Sequence, residues 1–323
     1  MNKYFSKNRN FYHGIMFHHF HDNKRHKKSQ GSISKNNFLK ILNYIGKKNI
    51  LDADEFISRL KNNTLKKNHV CLTFDDGLKS QIDIIFPILE KLKIKGFFFI
   101  YSSIFDDKPD PLEIFRYFRT IYFKNIDYFY RFFFKYCLDN KILDKSKIYK
   151  LEKKNIIKKK KIFPFYSSDD ILFRLIRDKY FKKTKYQKIM FDLMKLKNFD
   201  YKKIVNRLYI NEKDLKKISK KNHIIGLHSH SHPTKIANLS YNKQKDEFKT
   251  NKKILTKKSK QKMISMSHPC GSYNTNTKKI LKHLKVQIGF RSNLKRKNKN
   301  IEVNNSVFEI PREDHANILA SMQ

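Results

Sequence analysis

The sequence predicts an α/β fold, a single distorted (β/α) barrel with an inserted helical segment at about 109–207. Three observations predict it. Short apolar runs able to form buried strands recur along the chain, from Gly14-Ile15-Met16-Phe17 to Val307-Phe308-Glu309-Ile310, in the number a parallel barrel needs. Between Val70 and Tyr101, strand, helix and strand follow one another at the spacing of a βαβ crossover. From about Pro109 to Arg207 the strand alternation stops and helical patterns take over. Residues 1–323 are therefore read as one domain with an inserted subdomain.

The first strand, at Gly14–Phe17, ends in His18-His19-Phe20-His21. Ser34 then caps a helix that carries Phe38, Ile41, Leu42 and Ile45 on one face. A short helix from Asp52 or Asp54 buries Phe56, Ile57 and Leu60. Val70-Cys71-Leu72 is the next strand and runs into Thr73-Phe74-Asp75-Asp76-Gly77, where the glycine permits a sharp exit. Ile84, Ile85, Ile88, Leu89 and Leu92 mark an amphipathic helix bent at Pro87, and Gly96 releases the chain into the strand Phe97–Tyr101.

In the insert, aromatics cluster from Phe115 to Tyr136, and their commoner use is core packing rather than sugar stacking. The run Lys158–Lys161 reads as a solvated connection, and Ser168-Asp169-Asp170 caps a helix bearing Ile171, Leu172, Leu175 and Ile176. The framework resumes with a strand at Leu208-Tyr209-Ile210 and a helix from Asn211 to about Ser219. Strands at Ile224–Leu227 and Met263–Met266 flank a polar helix over Glu247–Lys258. Ile280, Leu281 and Leu284 mark a further helix. Val286–Phe290 and Val307–Ile310 are the last strands, and the final one leads into Pro311-Arg312-Glu313-Asp314-His315.

The chemistry sits at strand ends. Two adjacent carboxylates, Asp75 and Asp76, cannot point the same way there, so one can bind a metal while the other handles a proton. Asp-Asp-Gly is also an ordinary turn. His228 and His232, four apart, face one way on a helical turn. Two histidines and one carboxylate, with a position left for water, match the ligand count of a catalytic divalent-metal site. His268-Pro269-Cys270-Gly271-Ser272-Tyr273 forms a third such motif.

Together these motifs resemble the NodB-like polysaccharide deacetylases, metal-dependent amidases that remove acetyl groups from sugars. Thr73–Gly77 matches the family's first motif at every position; His228, Ser229 and His232 match the second; Pro269-Cys270-Gly271 matches the third. The resemblance covers roughly residues 13–104 and 207–292. It implies the NodB type of barrel, a metal held by Asp76, His228 and His232, and Asp75 as general base. Zinc is the first choice of metal, with Co2+, Ni2+ or Fe2+ as alternatives. The backbone N–H of Cys270 would help hold the oxyanion.

Two departures stand out. Relatives often carry an arginine before the third motif, where this chain has Lys260-Gln261-Lys262; Arg312 is the candidate replacement beside Asp75, with a surface salt bridge as its plainer reading. The family's leucine-x-histidine acid motif has one literal match, Leu281-Lys282-His283, which falls inside a predicted helix and is not accepted. His18, or failing it His315, becomes the general acid, with a histidine packed under the site as the plainer reading of His18.

Composition bounds the alternatives. The formal charge of +43, from 72 Lys+Arg against 29 Asp+Glu, suggests nucleic acid or an anionic membrane. The lysines are spread along the chain, however, and abundant Lys, Asn, Ile, Phe and Tyr beside few Gly, Pro and Trp follow an A/T-rich codon bias. No specific nucleic-acid partner is expected. Three cysteines without paired spacing fit a reducing compartment, and neither an export signal nor a transmembrane-length run is read, so the expectation is cytoplasmic. The expected partner is an acetylated sugar or glycan, deacetylated during surface polysaccharide or lipopolysaccharide biosynthesis. Alternatives are a deformylase or a deacetylase of a lipid-linked sugar, a basic nucleic-acid-binding protein, and an inactive glycan-binding relative.

Overall fold

The computed structural model describes residues 3–5, 9–106, 109–162, 166–294 and 306–322. The chain divides into two compact units, one of residues 1–110 with 206–323, the other of residues 111–205.

The first unit is a nearly closed barrel of parallel strands. In chain order its strands are β1 (His13–Phe17), the two-residue β2 (Phe20–His21) and β3 (Ile33–Ser34), β4 (Val70–Asp75), β5 (Phe97–Ile100), β6 (Ile224–Leu227), β7 (Ser265–Ser267), β8 (Ile288–Phe290) and β9 (Arg312–Asp314). Seven of them line up as β8-β7-β6-β5-β4-β1-β9, while β2 and β3 pair with each other in a second small sheet. Closure comes from Ile310, which bridges in parallel to Phe290; its N–H donates to Gly289 O and its carbonyl accepts from Arg291 N, both at 2.9 Å.

Period-two alternation sorts the strands' side chains. Phe97, Phe99, Ile288, Phe290, Cys71 and Ile310 fill one buried cluster inside the barrel, joined by Phe56 and Ile57. The intervening positions face the outer helices: Phe74 stacks on Phe17 at 5.5 Å and on Phe98 at 4.8 Å. Cys71, Thr73 and Asp75 therefore share the inner face, and the strand's parity carries the Asp75 carboxylate into the barrel mouth.

The helices follow their sequence signals. Ser34 accepts from Asn37 N at the start of α1 (Lys35–Ile45), which buries Phe38, Ile41, Leu42 and Ile45. α2 (Ala53–Lys61) buries Phe56 and Ile57. Instead of one helix bent at Pro87, Gln81–Ile85 forms a π-helical turn and α3 (Phe86–Leu92) begins after it. Pro87 lies in the first turn of α3, where its missing N–H costs nothing.

The second unit is helical: α4 (Leu112–Tyr117), α5 (Ile126–Asp139), α6 (Lys145–Ile162), α7 (Ser168–Leu175) and α8 (Lys183–Leu196). Its aromatics pack on one another, with Phe173 receiving Phe133 edge-on at 4.9 Å and Phe129 at 5.4 Å. Lys158–Lys161 are helical rather than a connection: they form the exposed last turns of α6, where lysines suit the helix C-terminus.

The chain continues through α9 (Lys202–Leu208), α10 (Glu212–Lys220), α11 (Tyr241–Ser259), α12 (Thr275–His283) and α13 (His315–Ala320). The strand expected at Leu208–Ile210 shrinks to one bridge, Tyr209 against Leu78. The last strand is displaced too. Ser306–Glu309 closes a turn through Glu309 N to Ser306 O, and the ladder with β1 starts after Pro311, at Arg312.

Candidate active site

Asp75 is the last residue of β4, and Asp76 and Gly77 both follow with left-handed backbone, φ 77° and 62°. That pair turns the chain sharply and points the second carboxylate away from the first. A left-handed Asp costs on the order of 1 kcal/mol, and such strain is retained mostly at functional positions.

Asp75 is gripped by Arg312. The guanidinium donates to both carboxylate oxygens, Nη1 to Oδ1 and Nη2 to Oδ2, each at 2.7 Å. Nε donates to Arg291 O at 2.9 Å, and the remaining hydrogens go to Thr73 Oγ1 (3.2 Å) and Ser267 Oγ (2.7 Å). Arg312 is 1% exposed, so this is a desolvated two-point ion pair, not a surface contact. Gly14 makes room for it: a Cβ there would meet Arg312 Cγ at 3.0 Å. Burial pushes the Asp75 carboxyl up, but the charge of Arg312, aided by His228, outweighs it and holds the group below its ordinary range.

Asp76 meets two histidines. Its Oδ1 lies 3.3 Å from His228 Nε2 and 3.4 Å from His232 Nε2, and those two nitrogens are 3.2 Å apart. The helical turn expected over 228–232 is absent. Ser229 and His232 instead take left-handed φ of 63° and 49°, and Ser229 Oγ accepts from His232 N at 3.1 Å, folding the second ring back over the first. His228 Nδ1 donates to Ser267 O at 2.9 Å, which leaves the Nε2 lone pair facing Asp76.

Two residues that sequence reasoning missed hold this loop. Glu247 accepts from His230 N, Ser231 N and Ser231 Oγ at 2.9, 2.8 and 2.6 Å. Asn251 accepts from His228 N at 3.0 Å and donates to Ile100 O at 2.9 Å. Their four-residue spacing on one face of α11 was the available signal.

The donor set fits a divalent cation. The three side chains are buried and each offers a ligand atom within 4.8 Å of the others. Among the described residues Asp76 Oδ1 accepts no hydrogen bond and His232 Nδ1 has no partner, an arrangement a protein interior rarely tolerates unless something else satisfies it. Burial opposes charge on every member. The Asp76 carboxyl is nevertheless held far down by the two histidines beside it, His228 foremost, while the two carboxylates lift His228.

The other predicted residues divide. His18 Nε2 stands 3.9 Å from Asp75 Oδ2, and its side chain is 27% exposed, open to an incoming molecule. A residue not foreseen ties the two together: Gln81 Nε2 donates to Asp75 O (2.6 Å) and His18 O (3.0 Å). His315 is buried with its ring stacked on Phe17 at 5.8 Å and its nitrogens against Met16 O and Gly31 O. It is committed to packing. Cys270 sits at φ 51° in the turn Pro269–Gly271 with its side chain exposed. His268 donates to Phe308 O at 2.8 Å and stacks on Tyr273 at 4.1 Å, bracing that turn. His283 ends α12, exposed.

No curated protein matches the chain in sequence. Among solved structures, the Streptococcus pyogenes deacetylase PplD in complex with acetate superposes with a TM-score of 0.54 at 16% identity, covering 97% of this chain and 98% of that one. IcaB from Ammonifex degensii gives 0.53 at 12%, covering 94% and 91%. A de-N-acetylase from Aggregatibacter actinomycetemcomitans gives 0.52 at 13%, covering 93% of each. These likenesses establish the fold. The family model described as polysaccharide deacetylase matches residues 62–117 and 180–289, just over half of the 323 residues, spanning the carboxylate pair and both histidines. The chain belongs to the polysaccharide deacetylases, hydrolases that act on the amide bonds of acetylated sugars.

Proposed function

We propose that this protein removes an N-acetyl group from a sugar unit, with Asp75 as general base and a divalent metal, zinc first, held by Asp76, His228 and His232. The observation that carries the reading is the buried Arg312–Asp75 pair set directly beside three converging ligand atoms. When bound, such a cation supplies Lewis-acid polarisation of the acyl carbonyl.

The chain's own residues account for the remaining chemistry. Asp75, kept ionised by Arg312, takes a proton from the attacking water. The backbone N–H of Cys270 faces the developing oxyanion by its place in the third motif. His18, within 3.9 Å of Asp75 and open to the outside, protonates the amine as the C–N bond breaks. A sugar unit met in the cytoplasm during surface polysaccharide or lipopolysaccharide assembly suits the buried thiols Cys71 and Cys137 and the lack, among the described residues, of any helix long and apolar enough to cross a membrane. A formyl group on the same nitrogen would pass through the same machinery.

The test is acetate release from acetamido-sugar oligomers by the metal-loaded protein, with formate assayed alongside. Acetate release that a chelator abolishes and zinc restores supports the proposal; chelator-insensitive turnover contradicts it.

A further inference from the structure

A second pocket lies wholly within the barrel unit, with a volume of about 410 Å³, inside the range of roughly 300–1,000 Å³ typical of small-molecule sites. Lys24, Arg25, Lys79 and Arg207 line it together with His26 and Asp83. Its floor is built rather than fortuitous. Asp83 receives His26 Nε2 at 2.9 Å, Lys79 at 3.8 Å and Arg25 at 4.0 Å, and Lys79 also reaches Asp214 at 2.6 Å. The side chains of His26, Asp83 and Lys79 are only 12%, 16% and 20% exposed. Both carboxylates are thus already matched. Lys24 and Arg207 enter no ion pair among the described residues, and Arg25 is 78% exposed with only a long contact. Several cations turned into one cavity repel one another unless an anion joins them.

The segments that line the pocket are tied by chain and by hydrogen bonds to the Asp75–Gly77 turn. Lys79 follows Asp76 by three residues, and Gln81 clasps the backbones of Asp75 and His18. Gly77 O accepts from Ile210 N at 3.0 Å, drawing the chain just after Arg207 alongside the motif. Phe20 N donates to Ser80 Oγ, drawing in the loop that bears Lys24 and Arg25.

We propose that this pocket binds the phosphate or diphosphate of a phosphorylated acetamido-sugar conjugate, placing its sugar at the carboxylate site. The inference rests on the deacetylase reading and narrows its substrate class. Arg25 and Arg207 supply the planar forks suited to phosphate oxygens, and Lys24 and Lys79 the point charges.

Inorganic pyrophosphate is the direct probe, titrated calorimetrically into the full-length protein. One saturable site is expected, weakened at least 10-fold in Arg25→Ala/Arg207→Ala and unchanged in Lys279→Ala, a control at an exposed lysine of α12 outside the pocket. No saturable binding, or equal weakening by Lys279→Ala, overturns the proposal. The kinetic arm compares a neutral acetamido-sugar oligomer with a nucleoside-diphosphate sugar and a prenyl-diphosphate sugar. The double variant should raise KM about 10-fold for whichever diphosphate conjugate is the substrate, identifying the carrier, and leave the neutral oligomer unaffected. Equal effects on neutral and charged sugars overturn it. If the unaltered protein releases acetate from none of them, the deacetylase reading fails, and the pyrophosphate titration alone still decides the pocket.

Discussion

At the scale of single residues, the account depends on a carboxylate that stays charged while buried. Arg312→Ala would strand Asp75 without its partner, and loss of one member of a buried pair costs roughly 3–5 kcal/mol. The expected outcome is a chain that melts well below the unaltered protein in calorimetry, while Arg312→Lys, with one point charge for a two-point grip, falls between. A Tm unchanged in Arg312→Ala would remove the pair from its central place. His18 carries a separate prediction. His18→Ala should keep fold and metal but lose most amide hydrolysis, and an O-acetyl ester, whose leaving group needs less protonation, should suffer less. His315→Ala should instead lower stability through lost packing on Phe17, and an inactive but stably folded His315→Ala would reverse the two roles.

At the scale of elements, what the sequence showed and what it hid have a common cause. Strand ends were legible because apolar runs stop at polar or charged residues, so Asp75, Asp76 and His228 could be placed at such ends, and the family resemblance joined them with His232 in one site. Arg312 was legible as a missing counter-charge, although its strand was placed a few residues early; Ile310 looks like strand interior, but Pro311 delays the ladder with β1. The loop at 228–232 was misread because i,i+4 spacing suggests a helix, whereas left-handed φ at Ser229 and His232 leaves no mark in composition. Glu247 and Asn251 were hidden as two polar residues among many on a lysine-rich helix. Their role is testable. Glu247→Gln halves the acceptor capacity that holds His230 and Ser231, and Asn251→Ala frees the His228 backbone. Each should loosen metal binding by roughly 10–100-fold, the usual effect of outer-shell partners, measured by zinc competition with a chromophoric chelator.

At the scale of the whole molecule, the barrel is braced by histidines kept neutral. Burial pushes His13, His223 and His268 down to about 4. Their hydrogen bonds fit the uncharged ring: Tyr4 OH and Phe11 O hold His13, Gly96 N–H donates to His223 Nδ1, and Phe308 O accepts from His268. The unfolded chain takes up these protons near 6.5 and the folded one only near 4, so the unfolded state binds more protons between the two values. Stability is therefore full above about pH 6.5 and lost as pH falls, on the order of 2 kcal/mol for each histidine by pH 5. Thermal midpoints between pH 8 and pH 5 should show this decline, and a flat profile would mean that the three rings are not held neutral.

The most direct test of the whole account is metal content and acetate release measured on the same preparations of the unaltered protein, His228→Ala and Asp75→Asn. The account predicts that His228→Ala loses metal and activity together. It predicts that Asp75→Asn keeps full metal while turnover falls by roughly 10²–10⁴-fold, the loss of a general base. Full metal occupancy in His228→Ala, or an Asp75→Asn protein that turns over normally, would contradict it.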